Sequence, residues 1–402
     1  MSLRLENKLQ ECLAELDAQH LRRKLRSVET PCAPQVILSG QARLAFCSND
    51  YLGLANHPKV IAALVEGAQL YGVGSGASHL ISGHSMAHHQ LQEQLASFMA
   101  PHFEHCAALY FCSGYMANIG VLQALAAVGP ETDIFCEALN HASLIDGVRL
   151  ARAASKARIV VYPHGDIDAL GQALVASSAA NKIIVSDTVF SMDGELAPLP
   201  ALLALAEQHD AWLMLDDAHG FGVLGSEGRG ALEHFNLRSP HIVYVGTLGK
   251  AAGVGGAFVA ASPSVIDWLL QKARTYIFST AAAPALAHAL STSLSIIASE
   301  EGRQRRAHVQ ALVAQLRGAC TDLPWSFLPS DTPIQPLVIG DNAAALRVAA
   351  ALDAKGIWAP AIRPPTVAAG TARLRITLSA AHTQQQVEQL ADALHQVAKC
   401  DA

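Results

Sequence analysis

From about residue 90 to residue 260, short and mostly apolar runs alternate with segments of helical spacing. The runs at 107–111, 133–136, 158–162, 182–186, 212–215 and 242–245 are too short for helices and lack a polar face. They predict buried strands, with a return run at 256–260. The intervening pattern predicts helices at 90–99, 114–127, 141–153, 167–177 and 200–209. Such alternation defines an α/β fold, a large and mostly parallel sheet with helices on both faces. Ligands of such sheets bind beyond the carboxyl ends of the strands.

The two ends of the chain read differently. Residues 1–30 predict one amphipathic helix, with Leu3, Leu5, Leu9, Leu13 and Leu16 near helical spacing. A strand pair follows at 35–38 and 42–47, turning at Ser39 and Gly40, and then a helix at 58–71. The stretch 72–85 is rich in Gly, Ser and His and predicts a functional loop. Its GVGSGA only nominally matches a dinucleotide fingerprint, which follows a strand rather than a helix. Helices dominate 264–321, and a smaller α+β unit comes last. That unit has strands at 334–339 and 374–377, an extended run at 357–362, and helices at 343–355 and 383–398. The pattern divides the chain into an N-terminal helix and strand segment (1–47), a large α/β domain (48–285) and a C-terminal α+β domain (286–402).

Composition narrows the function classes. Apolar residues make up 51% and charged residues 15% of the 402, so the chain is globular. A net charge of -6 argues against a nucleic-acid partner, and the one basic cluster is Arg22, Arg23, Lys24 and Arg26. The uncharged stretches 106–130 and 275–299 are long enough to span a bilayer, yet polar residues interrupt both. They read as core, so no membrane partner is expected. The eight cysteines form no CxxC, which fits a reducing compartment. With an acidic N-terminus that lacks an apolar signal core, a soluble cytoplasmic protein is expected.

The chemistry gathers between Trp212 and Lys250. The run WLMLDDAHG ends in Asp216, Asp217 and His219, and HIVYVGTLGK ends in Thr247 and Lys250. A lysine among glycines at the end of an apolar strand is poorly placed as a surface charge. Burial would lower its pKa, as a Schiff-base lysine requires. An aspartate at a neighbouring strand end suits a protonated pyridine nitrogen. At ~4 Å and an effective dielectric near 20, that pair gains about 4 kcal/mol before desolvation. An ordinary strand-end acid and an exposed lysine are the alternative. Cys112-Ser113-Gly114-Tyr115, at a strand-to-helix turn, suits an anion. His141 opens the next helix but one, and Ser191 precedes the turn residues Asp193-Gly194. GTLGK lacks the first glycine and the hydroxyl residue of a phosphate-binding P-loop. His84, His88, His89, His102 and His105 lack the spacing of a usual ligand set, so no metal is expected. Ser113 and Ser191 lack the GxSxG elbow of a hydrolase.

Together these segments resemble the α-oxoamine synthases, fold-type I enzymes dependent on pyridoxal 5'-phosphate (PLP). The likeness covers nearly the whole chain: SNDYLGL at Ser48, GSGASHLISGHS at Gly74, CSGYMAN at Cys112, LNHASL at Leu139, VFSMDG at Val189, DDAHGFGVLG at Asp216, GTLGKAAG at Gly246 and AIRPPTVAAGTARLRITLSAAHT at Ala361. The resemblance implies that Lys250 tethers the cofactor and Asp216 pairs with its ring nitrogen. It implies that His141 stacks on the ring and meets the substrate carboxylate, while His219 and Ser191 bond the phenolic oxygen. Gly114, Tyr115 and Thr247 would hold the phosphate, joined by Ser279 or Thr280 of the second subunit of a homodimer. Arg22, Asn49, Arg363 and Thr366 match substrate-contacting positions. The last segment points to the member that joins L-alanine to a pimeloyl thioester, on acyl carrier protein or coenzyme A, in biotin biosynthesis. A sister synthase using glycine and acetyl-coenzyme A, or a PLP-binding protein without turnover, are the alternatives. The sequence departs from the family at Ala368, often proline, and at Asp187, often glutamate.

Overall fold

The computed structural model describes residues 3–19, 21–23, 25–129 and 131–401. Lys24 of the basic cluster, Met1, Ser2 and His20 of the expected first helix, and Pro130 lie outside them. Helix α1 (Arg4–Ala18) is half the predicted length and has no buried residue. The described chain just beyond it is not helical: Arg22 turns back to Asp17 five residues earlier, and Arg26 reaches the distant Asp353 and stacks on Trp358. Strands β1 (Gln35–Leu38) and β2 (Gln41–Ala45) form the expected hairpin, with Ser39 and Gly40 both at positive φ. Helix α2 (Pro58–Tyr71) begins on a proline whose missing N–H costs nothing in a first turn. A single π turn, His79–Gly83, then leads into α3 (Met86–Met99).

The large sheet has seven strands: β3 (Ala107–Phe111), β4 (Thr132–Glu137), β5 (Arg158–Tyr162), β6 (Asn181–Asp187), β7 (Trp212–Asp216), β8 (Ile242–Thr247) and β9 (Ala257–Ala261). Their order is β3-β9-β8-β7-β6-β4-β5. The connections carry α4 (Gly114–Ala126), α5 (Ala142–Ser155), α6 (Ile167–Val175), α7 (Leu199–Gln208) and a short α8 (Ala231–His234). Alternate side chains serve two cores. Leu213, Leu215 and Tyr244 face one, while Met214, Val243 and Val245 face the other. The sheet is mostly parallel, as the pattern predicts, but β9 runs antiparallel to both neighbours. The segment joining β8 to β9 is too short for the helical crossover that a parallel pair needs.

Helices α9 (Pro263–Lys272), α10 (Arg274–Ile277), α11 (Pro284–Ile297) and α12 (Glu300–Ala319) follow. The rest comprises β10 (Ser326–Phe327), β11 (Ile334–Gly340), α13 (Asn342–Ala354), β12 (Ile357–Trp358), β13 (Ala361–Ile362), β14 (Ala372–Thr377) and α14 (Gln384–Asp401). The run 357–362, read as one extended piece, is divided between two sheets. β12 pairs with β2, whereas β13 joins the sheet β10-β11-β14-β13. The intervening Ala359 and Pro360 belong to neither sheet, and proline has no N–H to donate to a ladder. The boundary expected after residue 285 falls inside α11, whose Leu290, Leu294 and Ile297 pack in the large-sheet core. Leu44 and Phe46 of the N-terminal segment pack instead with Leu374 and Leu390 of the C-terminal unit. Among the described residues no helix is long and apolar enough to cross a membrane.

The turn after Lys250 depends on one glycine. Gly253 has φ +72°, and a Cβ there would lie 2.4 Å from the Ala55 amide nitrogen. Gly253→Ala is expected to lower stability by about 2 kcal/mol or more, as strain adds to a backbone clash. Urea unfolding of the purified protein checks this.

Candidate active site

Strands β6, β7 and β8 run parallel; β6 and β7 end level, and β8 runs two residues further, to Thr247. Asp187 pairs in register with Asp216, and Asp216 with Val245. The residues just beyond these ends therefore share one edge of the sheet. Asp216 is buried, and its Oδ2 accepts from Asn118 Nδ2 at 2.6 Å while its Oδ1 accepts from the Ala218 N–H at 3.0 Å. Asn118 also donates to Ser143 Oγ at 2.8 Å. The close packing of α4 on α5 brings these two together, for a Cβ on Gly147 would strike Leu122 at 2.7 Å and the Asn118 carbonyl at 3.2 Å.

Lys250 Nζ lies 2.8 Å from His219 Nε2, and His219 Nδ1 lies 2.7 Å from the Tyr51 hydroxyl. That hydroxyl donates to Asn49 Oδ1 at 3.1 Å, which Arg375 also reaches at 3.2 Å. Burial lowers the Lys250 pKa to about 8, against the opposing attraction of Asp216 and Asp187. Burial, with the charges of Lys250 and Arg375, holds His219 well below the ordinary histidine value. His219 is therefore a neutral imidazole able to accept from the amine.

His141 caps the N-terminus of α5. Its Nδ1 accepts from the Ser143 hydroxyl at 2.7 Å and from the Ser143 N–H at 3.3 Å, which leaves the ring's own N–H on the exposed Nε2. Its backbone N–H donates to Asp187 Oδ2 at 2.6 Å, so the aspartate reaches the helix cap. Burial, and then the charge of Asp216, raise the Asp187 pKa well above the carboxylate range. Ser191 sits at the tip of a hairpin closed by the Val189–Leu196 bridge. Two arginines of β14 hold that tip: Arg375 Nε donates to the Ser191 carbonyl at 2.5 Å, and Arg373 to Asp193 Oδ1 at 2.5 Å.

Gly114 and Tyr115 open α4, where Ser113 is the cap. A Cβ on Gly114 would lie 2.9 Å from Thr247 Oγ1, so the glycine keeps open a cradle between helix and β8. Tyr115 turns its hydroxyl outward to Asp146. Thr280 of the same chain lies at this edge, its carbonyl accepting from Cys112 Sγ at 3.5 Å, and Ser279 precedes it. Arg22, far in sequence from Arg363 and Thr366, lines one cavity of about 770 Å³ with them and with Leu13, Leu16 and Leu21. Helix α1 thus supplies an apolar wall opposite the loop 363–366.

Several residues of this site escape sequence reasoning based on charge and spacing. Asn118, Ser143 and Tyr51 are small or aromatic polar residues whose roles depend on what faces them. Arg375 had a visible signal, as a cation inside an otherwise apolar strand. His79 joins His84 and His88 in a cluster of the size that holds a metal ion. Both His88 nitrogens there are engaged, with Ser85 at the α3 cap and with the Ala282 carbonyl.

Comparison with known proteins identifies the family. The aminotransferase class I and II family matches residues 43–394. An 8-amino-7-oxononanoate synthase of Janthinobacterium sp. (strain Marseille) is 64% identical over 393 residues, 98% of each chain. A high-resolution structure of SPT (serine palmitoyltransferase) with PLP superposes with a TM-score of 0.90 at 26% identity, over 100% of this chain and 99% of that one. An 8-amino-7-oxononanoate synthase of Francisella tularensis superposes with a TM-score of 0.73 at 28% identity, over 89% of this chain and 98% of that one. The chain belongs to the aminotransferase class I and II family, enzymes of fold type I that depend on PLP, and is a transferase. Within it the chain falls among the 8-amino-7-oxononanoate synthases.

The residues present fit PLP. A braced carboxylate, an amine of lowered pKa and a helix-end cradle that a Cβ would fill all open on one sheet edge. The buried amine has a consequence for stability. Because the folded state depresses the Lys250 pKa, the unfolded chain binds more protons between pH 8 and the ordinary lysine value, and stability rises with pH there. Lys250→Met is expected to stabilise the cofactor-free protein at pH 7 by up to about 3 kcal/mol. The gain shrinks as pH climbs above about 8. Urea unfolding across that range measures it.

Proposed function

We propose that this protein condenses L-alanine with a pimeloyl thioester, carried on acyl carrier protein or coenzyme A, to give 8-amino-7-oxononanoate, carbon dioxide and the free thiol. It would thereby serve biotin biosynthesis. The cavity between α1 and the loop 363–366 carries the reading: Leu13, Leu16, Leu21 and Ile362 suit a polymethylene chain, and Arg22, Arg23 and Arg363 suit a carboxylate at its end. A glycine and acetyl pair would leave that cavity without use.

PLP, when bound, supplies an electron sink for the charge left at the amino-acid Cα. Lys250 tethers the cofactor and, once released, takes the Cα proton at Nζ; a pKa of about 8 makes the neutral amine accessible. Asp216, oriented by Asn118, faces the ring nitrogen. His219 and Ser191 would hold the phenolic oxygen, His219 Nε2 being available once the amine moves away. His141 would stack on the ring and, with Asn49, receive the alanine carboxylate; Arg375 adds positive charge behind Asn49. The N–H groups of Gly114 and Tyr115 and the Thr247 hydroxyl take the phosphate. Ser279 or Thr280 of a second copy would complete the cup in a homodimer. Apolar side chains left in water support that dimer: Val73 is 88% exposed, Ile81 81% and Phe278 70%.

The test offers L-alanine, glycine and L-serine separately with pimeloyl, acetyl and succinyl thioesters and follows thiol release. Release with alanine and the pimeloyl donor is expected, whereas release only with glycine and the acetyl donor would overturn the reading. Arg363→Ala is expected to raise the KM for the pimeloyl donor about tenfold or more, the loss of one charge-assisted contact, with the alanine KM little changed.

A further inference from the structure

His164 lies outside the cleft, yet it joins two segments that face it. Its Nδ1 is 2.7 Å from Glu137 Oε1 and its Nε2 is 3.2 Å from Glu195 Oε2. Its ring meets Phe190 edge-on at 4.6 Å. Glu137 is buried at the carboxyl end of β4, and its other oxygen accepts from the Leu139 N–H at 2.5 Å. Leu139 and Asn140 form the turn that delivers His141. Glu195 and Phe190 belong to the hairpin that carries Ser191, where the Phe190 N–H donates to the Glu195 carbonyl at 2.9 Å. The β14 arginines grip the tip of that hairpin, and His164 grips its base.

Ionised carboxylates only accept hydrogen bonds, so a ring bonded to one on each side carries protons on both nitrogens. We propose that His164, as an imidazolium between Glu137 and Glu195, is a positioning residue that locks the His141 turn to the Ser191 hairpin. The inference rests on the roles given above to His141 and Ser191. Burial opposes the charge, but the two glutamates outweigh it and raise the His164 pKa above the ordinary value. Tyr162, on the neighbouring strand, faces Glu137 and is itself pushed up by burial, so it stays neutral. The lock is therefore complete below the ordinary histidine pKa and is lost as pH rises through the higher folded value.

Hydrogen exchange of the PLP-loaded enzyme tests the coupling. In His164→Gln, amides of 137–141 and of 188–196 are expected to exchange about tenfold faster together, as local opening becomes easier, with β7 unchanged. In the wild type, exchange in the same two segments, corrected for its intrinsic pH dependence, rises with pH; in the variant it stays flat. Glu195→Gln, at a solvent-facing position that spares the fold, is expected to loosen both segments as well. Faster exchange confined to 163–166, or to one of the two segments, would overturn the lock. A fall in kcat of about ten- to a hundredfold, with the cofactor still fixed to Lys250 by borohydride, is expected from misplaced groups. Loosening of both segments with an unchanged kcat would support the lock and instead remove His141 and Ser191 from the reaction.

Discussion

The hydrogen bond between Lys250 Nζ and His219 Nε2, at 2.8 Å, sets terms for much of the structure around it. An amine taken out of water keeps its charge only at a cost, and burial brings its pKa down to about 8. The imidazole that receives it must stay neutral, and it does so because it is buried and surrounded by cations. Its other nitrogen must then find a partner, which is Tyr51, and Tyr51 in turn leans on Asn49 and Arg375. In a region of low dielectric an unpaired member of this chain would be expensive, so the residues stand or fall together.

That chain also explains why the small unit is needed. Arg373 and Arg375 project from one face of β14, while Leu374 and Ile376 pack its other face into a separate core. The two arginines reach across to the hairpin after β6 and hold the Ser191 carbonyl and Asp193. The loop between β13 and β14 faces α1 across the cavity lined by Arg22, Arg363 and Thr366. The sheet edge thus supplies reactive groups, the arginines of the C-terminal unit fix the Ser191 hairpin, and α1 with the loop 363–366 encloses the cavity.

The strands and most helices were legible because their signals are local. An apolar run of strand length between helical patterns leaves few other readings, and β5 and α2 fall where the pattern places them. Asp216 and Lys250 were legible for a related reason, since a charge at the end of a buried strand has no ordinary use. The first helix was overread. Its leucine spacing is real, but spacing does not say whether a face will be covered, and none of its described residues is buried. The run 357–362 was likewise readable as extended but not as two strands in two sheets.

What the sequence determined by itself was the alternation of elements, the acid and amine at strand ends, and the glycines at the turns between them. These follow from side-chain chemistry and backbone freedom, which act over a few residues. Only the tertiary structure decided that Asn118 would brace Asp216, that Tyr51 would support His219, and that Arg22 would face Arg363. Those pairings join segments as much as 341 positions apart in the numbering, and they arise because packed sheets and helices bring specific faces together. Spacing along a chain carries no record of such distances, so polar residues without a local signature acquire their meaning only from what the fold sets opposite them.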